Sequence, residues 1–279
     1  MSFSTLTSTR IGSALPCFLW GTARTGTNLI CWALEKADGI QCFNEDRPEA
    51  FQNYFLRSNV ELAQLIESCP QGKIFFKAHA DTPRAQVVMD FFPNARAIYT
   101  IRQPDHAIAS FGREFGDMGF EVWQRWFSEA AAGKPGPVLD LTASSRDLYD
   151  HVRRSAADAA EMLERYGRTH RNVAALYYLW QNAFHAPLLD RYPGRLITID
   201  YDQLVNRPRV VFDRITTWFD CGQTRFDLAA IHKGSGAPDD MLGLADELRQ
   251  QCWALYRQML NACEASAAVR PSWRLATKR

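Results

Sequence analysis

The sequence has no long apolar run. Its uncharged stretches fall well short of the ~20 residues that a bilayer-spanning helix needs, and Met1 to Ser13 lack the basic-then-apolar order of a secretion signal. Neither charge sign is in excess: 32 Lys and Arg stand against 31 Asp and Glu, a net charge of +1. That balance removes the electrostatic case for nucleic-acid binding. Cys-x-x-Cys pairs are missing too, and the seven cysteines (17, 31, 42, 69, 221, 252 and 263) are scattered and odd in number. This favours reduced thiols in a cytoplasmic protein over a disulfide framework or a zinc site, and no metal is expected. There is no internal repeat, no low-complexity tract and no linker-like stretch. Residues 1–279 are therefore expected to form a single domain, with 1–14 as a frayed start.

What is present is the composition of an ordinary globular protein, 47% hydrophobic and 23% charged. Four short apolar runs read as buried parallel strands: Cys17–Trp20, Lys73–Lys77, Arg96–Ile101 and Arg195–Asp200. Helical patterns separate or follow them at Asn28–Ala37, Asn59–Ser68, Pro83–Phe92, Pro104–Phe115 and Pro208–Phe219. Longer amphipathic patterns cover Arg146–Tyr166, Arg171–Tyr192 and Met241–Cys263. Strands alternating with helices predict an α/β fold, a central parallel sheet of about four to five strands flanked by helices.

The first strand opens into Gly21-Thr22-Ala23-Arg24-Thr25-Gly26-Thr27-Asn28. A strand, a turn of small residues and a helix start leave backbone N–H groups pointing at an anion, with the positive helix end behind them. The spacing of Gly21 and Gly26 is P-loop-like, but Thr27 and Asn28 replace the lysine and Ser/Thr that hold a triphosphate and its magnesium. In open parallel sheets ligands bind beyond the carboxyl ends of the strands. The other strands also end in groups suited to anions or protons: Lys77 and His79, Arg102 with Ser110 eight residues later, and Asp200-Tyr201-Asp202. The aromatic stripe of Arg171–Tyr192 reads as core.

At these residues the chain resembles the sulfotransferases that use 3′-phosphoadenosine 5′-phosphosulfate (PAPS). Arg24-Thr25-Gly26-Thr27-Asn28 is similar to the loop that holds the 5′-phosphosulfate. Phe92 to Pro104 and on to Ser110, with Arg102 and Ser110, is similar to the strand, arginine and serine that hold the 3′-phosphate. Lys77-Ala78-His79 resembles the Lys-Thr-His of cytosolic members, and Tyr201-Asp202-Gln203-Leu204 a Tyr-Glu-Asp-Leu segment. His232-Lys233-Gly234 partly matches a nucleotide-covering Arg-Lys-Gly element, while Asp105 and His106 depart from the usual pattern. The resemblance implies PAPS as donor, adenosine 3′,5′-bisphosphate as product, and a hydroxyl or amine on a small-molecule, natural-product or glycan acceptor, with the acceptor pocket walled by Asn44–Leu56, the aromatic stretch Gly112–Trp126 and the segment around Pro135 to Leu148. It also implies His79 as catalytic base, with Glu45 as the alternative base, and Lys77 and Arg24 beside the leaving group. A P-loop nucleotide or small-molecule kinase, and a non-catalytic nucleotide-binding relative, are the competing expectations.

Overall fold

The computed structural model describes residues 14–134, 146–221, 226–229, 231 and 243–268. Its centre is a five-stranded parallel sheet. The strands are β1 (Leu15–Gly21), β2 (Ile40–Phe43), β5 (Lys73–Lys77), β6 (Arg96–Ile101) and β7 (Leu196–Asp200), in the order β2-β5-β1-β6-β7. A small antiparallel pair, β3 (Phe51–Gln52) and β4 (Phe55–Leu56), lies outside it.

Helices cover both faces, which is why the strands read as continuous apolar runs rather than alternating ones. Successive side chains of a strand point to opposite faces. On β1, Cys17 and Leu19 join Ile98 and Ile199 beneath α1 (Thr27–Glu35) and α9 (Pro208–Phe219). Phe18 and Trp20 join Phe76 and Tyr99 on the other face. That face packs on α2 (Asn59–Ser68), α3 (Ala85–Phe91), α4 (Pro104–Ala131), α5 (Arg146–Tyr166), α6 (His170–Asn182) and α10 (Asp246–Ala268). The remaining helices are α7 (His185–Arg191) and α8 (Tyr201–Asn206).

All four expected strands are present, and β2 is the fifth. Some helices differ from the sequence reading. The pattern at 171–192 is two helices, because Pro187 lacks an N–H and its ring would collide with the preceding turn of a continuous helix. The expected helix Pro83–Phe92 begins as a 3-10 turn, His79–Arg84. The helix that opens at Pro104 runs on to Ala131, kinked at Gly116, where φ is +50° and ψ −142°. No described helix is long and apolar enough to cross a membrane.

From β1 the chain crosses to β2 at one edge, while β6 leads towards β7 at the other. The connections diverge between the carboxyl ends of the adjacent strands β1 and β6. In a parallel sheet that divergence leaves a crevice.

Candidate functional site

The loop after β1 is held in a conformation that few residues tolerate. Gly21 has φ +127°, and a Cβ there would stand 2.5 Å from the Thr100 carbonyl oxygen. Its N–H donates to the Thr82 hydroxyl (3.1 Å), which in turn donates to the Gly21 carbonyl (2.9 Å). Arg24 has φ +69°, the left-handed region, unusual for a residue with a side chain. Gly26 has φ +95° and lies against Tyr201 and Leu204, where a Cβ would meet carbon atoms at 3.0 Å. Gly26 is the N-cap of α1 and offers no side chain to the helix start, and the first turn carries no acidic residue. The first N–H groups of α1 thus keep their positive end open to an anion.

Thr25 is fully buried, and its hydroxyl lies 2.6 Å from the Thr22 carbonyl oxygen and 2.7 Å from the Thr100 hydroxyl. That side chain shapes the loop, so what Thr25 can offer a ligand is its backbone. Ala23 N–H donates to the Tyr177 hydroxyl (3.2 Å). Tyr177 belongs to the aromatic stripe of α6, so one residue serves both the core and the loop.

The two arginines meet. Arg102 Nη1 donates to the Arg24 carbonyl (3.0 Å), and its guanidinium lies 3.9 Å over the Tyr201 ring. Arg24 Nε donates to Ser110 Oγ (3.1 Å), while its Nη2 pairs with Glu114 at 3.1 Å. Ser110 and Glu114 are one turn apart on α4 and share a face. Burial lowers the pKa of Arg102, with the nearby Arg24 and Arg113 acting in the same direction and Tyr201 and Asp202 opposing them. Arg102 Nε is buried with no hydrogen-bond partner. A desolvated, incompletely satisfied guanidinium beside an open helix end calls for an anion.

Next along the same edge, three titratable groups form one cluster. Lys77 Nζ donates to Glu45 Oε2 at 2.5 Å, and His79 Nδ1 lies 2.5 Å from Glu45 Oε1. The Lys77, Glu45 and His79 side chains are only 6%, 10% and 15% exposed. Burial alone would raise the pKa of Glu45, but the charge and hydrogen bonding of His79 and of Lys77 outweigh it and hold the value low. Glu45 is therefore an anion already engaged by two partners. With Nδ1 turned to the carboxylate, Nε2 is the ring nitrogen left for another group. His79 sits in the 3-10 turn rather than on the strand, yet both it and Lys77 reach Glu45.

Arg24, Gly26, Thr27, Asn28, Arg102, Ser110 and Tyr201 thus stand together at the ends of β1, β6 and β7. Lys77, His79 and Glu45 stand at the neighbouring ends of β5 and β2. Tyr201 contributes its ring to Arg102. His232, Lys233 and Gly234 lie outside the described residues, as do residues 135–145 of the third expected acceptor wall. Asp105, one of the two departures from the family pattern, is bound by both arms of Arg249 (3.2 and 2.6 Å) and by Trp253 Nε1 (3.2 Å) on α10.

Several supports were invisible in the sequence: the Thr82 clamp on Gly21, the Tyr178 hydroxyl donating to the Arg102 carbonyl (2.8 Å), and Glu114. Each acts across a separation of at least 61 residues, which no local pattern encodes.

No family model matches the sequence, and no curated protein matches it. Among solved structures the chain is similar to a sulfotransferase from Alicyclobacillus acidocaldarius, at 15% identity over 89% of this chain and 94% of that one, with a TM-score of 0.47. It is also similar to the sulfotransferase STF9 from Mycobacterium avium, at 12% identity over 90% and 78%, TM-score 0.49. A third is the sulfotransferase domain from the curacin biosynthetic pathway, at 14% identity over 88% and 98%, TM-score 0.47. Roles for individual residues rest on the geometry of this chain alone.

Proposed function

We propose that the chain is a sulfotransferase that moves a sulfuryl group from PAPS to a hydroxyl or amine of a small-molecule, natural-product or carbohydrate acceptor. The observation that carries the reading is the meeting of Arg24 and Arg102 at an uncapped helix start, beside the Lys77–Glu45–His79 cluster. The residues suit a donor with two anionic ends. Arg102, whose Nε lacks a partner, and Ser110 would hold the 3′-phosphate by charge-assisted hydrogen bonds. Arg24 and the N–H groups of Gly26 to Asn28 would hold the 5′ end, with Gly26 letting the loop lie close against Tyr201 and Leu204. The donor supplies the activated sulfuryl group, and the protein's task is alignment and charge neutralisation.

His79 is the base in this reading. Its Nε2 takes the proton of the acceptor hydroxyl, while Glu45 fixes the ring through Nδ1 and stabilises the imidazolium that results. Lys77, anchored on the other oxygen of Glu45, adds positive charge near the leaving oxygen. Glu45 serves as the orienting group and not as the base, because both of its oxygens are already engaged.

The test is a thermal-shift comparison of adenosine 3′,5′-bisphosphate, ATP and AMP, each with and without magnesium. The bisphosphate should stabilise the protein selectively and without magnesium, by about 2.7 kcal/mol at a hundredfold excess over Kd. A shift with ATP that needs magnesium, and none with the bisphosphate, would instead make the chain a P-loop kinase. Bisphosphate binding with no transfer from labelled PAPS to any member of a broad acceptor panel would leave a nucleotide-binding protein without the activity.

A further inference from the structure

Behind the anion loop lies a second convergence of chemically active side chains. Cys31 and Glu35 are four residues apart on α1 and so project from one side of it. Cys42 on β2 faces them. The two sulfurs are 2.7 Å apart and both cysteines are buried. With a Glu35 carboxylate oxygen they form a group of three donor atoms, all within 4.8 Å of one another. The adjacent cation, Lys36, is turned away, over the Trp32 ring (3.6 Å) and onto Asp227 (3.2 Å). Among the described residues Glu35 forms no ion pair. Three groups able to carry negative charge thus converge, and among the described residues no ion pair offsets them.

We propose that Cys31, Glu35 and Cys42 bind one thiophilic divalent cation of the zinc type, with water in the fourth position. Two thiolates and a carboxylate suit zinc better than calcium or magnesium, which take oxygen ligands only. Around an ion with bonds of ~2.3 Å the sulfurs part to roughly 3.7 Å, a small rotation of each side chain. Binding releases the two thiol protons and leaves the sulfurs as thiolates. A disulfide would use the sulfurs but leave the carboxylate idle, whereas a cation uses all three groups. The pair escaped the sequence reading because its members are eleven residues apart, with no Cys-x-x-Cys spacing. The consequence is mechanical. α1 begins at the anion loop, and β2 leads within three residues to Glu45, so the ion would pin one half of the site to the other.

The test needs no turnover. Reduced protein, stripped with chelator and dialysed, is titrated with zinc, and with cobalt(II) as a spectroscopic probe. One equivalent per chain, a thiolate-to-cobalt charge-transfer band and a higher melting temperature with zinc are expected. Glu35→Gln, a surface exchange that preserves the fold, should weaken binding at least ~tenfold, and Cys42→Ser should abolish the band. Failure to take up stoichiometric metal would overturn the proposal, as would unchanged affinity in Glu35→Gln. So would unreduced protein that has lost two hydrogens as a Cys31–Cys42 disulfide and gives no cobalt band once reduced.

Discussion

At the scale of single residues, the site is arranged so that every charge near the proposed chemistry has a second job. Glu45 illustrates this. As an isolated buried carboxylate it would tend to take up a proton, yet Lys77 and His79 hold it ionised. His79→Ala should therefore lower kcat by about 10²–10⁴-fold while leaving the bisphosphate thermal shift intact. Glu45→Ala should cost less, on the order of ten- to a hundredfold in kcat, because it disorders the base without removing it. Single-turnover assays on both variants check the order, and equal losses would mean that Glu45 acts directly. Arg102→Lys separates charge from shape. Lysine keeps the positive charge but loses the fork and the stacking on Tyr201. Bisphosphate affinity measured by calorimetry should fall by roughly ten- to a hundredfold. Arg24, Gly26, Arg102, Lys77 and His79 were legible in the sequence, since each sits at or just beyond a strand end, and Ser110 by its spacing from Arg102 on the helix that follows. Their supports Thr82, Tyr177 and Tyr178 were not, because a hydrogen bond from a distant element leaves no local pattern.

Elements are fixed by where glycine and proline allow or forbid continuation. At Gly26 the added methyl of an alanine would meet side-chain carbons of Tyr201 and Leu204 at 3.0 Å, so these must give way slightly, and Gly26→Ala should cost about 1–2 kcal/mol, chiefly from the left-handed backbone. At Gly21 the obstacle is the backbone carbonyl of Thr100 on the neighbouring strand. Gly21→Ala must part β1 from β6 or distort the loop, and should cost about 3 kcal/mol or more. Urea unfolding of the two variants tests the ranking, and a smaller loss at Gly21 would show that the loop has room to adjust. The sequence located the strands by their apolar runs but missed β2, a four-residue edge strand, and the two-residue pair β3–β4. Segments that short carry too few side chains to establish a period. Glu45 lies just beyond β2, so its neighbourhood became visible only with the fold.

For the whole molecule, stability should depend on pH through groups that burial has shifted. His185 is packed beneath the sheet, its Nε2 2.8 Å from the Thr198 hydroxyl and its ring against Tyr99. Burial lowers its pKa to about 4, with the Asp190 charge opposing. The unfolded chain thus binds a proton near pH 6.5 that the folded one refuses until about pH 4. The stability this gives is complete above 6.5 and is lost as pH falls through that window, on the order of 3 kcal/mol in all. Asp81 acts in the opposite sense. Burial raises it to about 6 against the pull of Arg84, so its contribution falls as pH rises from 3.8 towards 6. Wild type and His185→Gln should therefore be compared by denaturation between pH 4 and 7. The variant should lack the His185 component, and parallel curves would refute it.

The amino-acid order alone determined the alternation of apolar runs with amphipathic ones, and with it a parallel sheet covered on both faces. It also placed a glycine-bearing turn between the first strand and the first helix, where Gly21 and Gly26 take the positive φ that other residues avoid. Tertiary structure decided which strand ends are neighbours. It set Arg102 against Arg24, engaged Glu45 with both Lys77 and His79, and brought Cys31 to Cys42. Local periodicity reports which face of an element is buried; strand order and packing determine which distant faces meet.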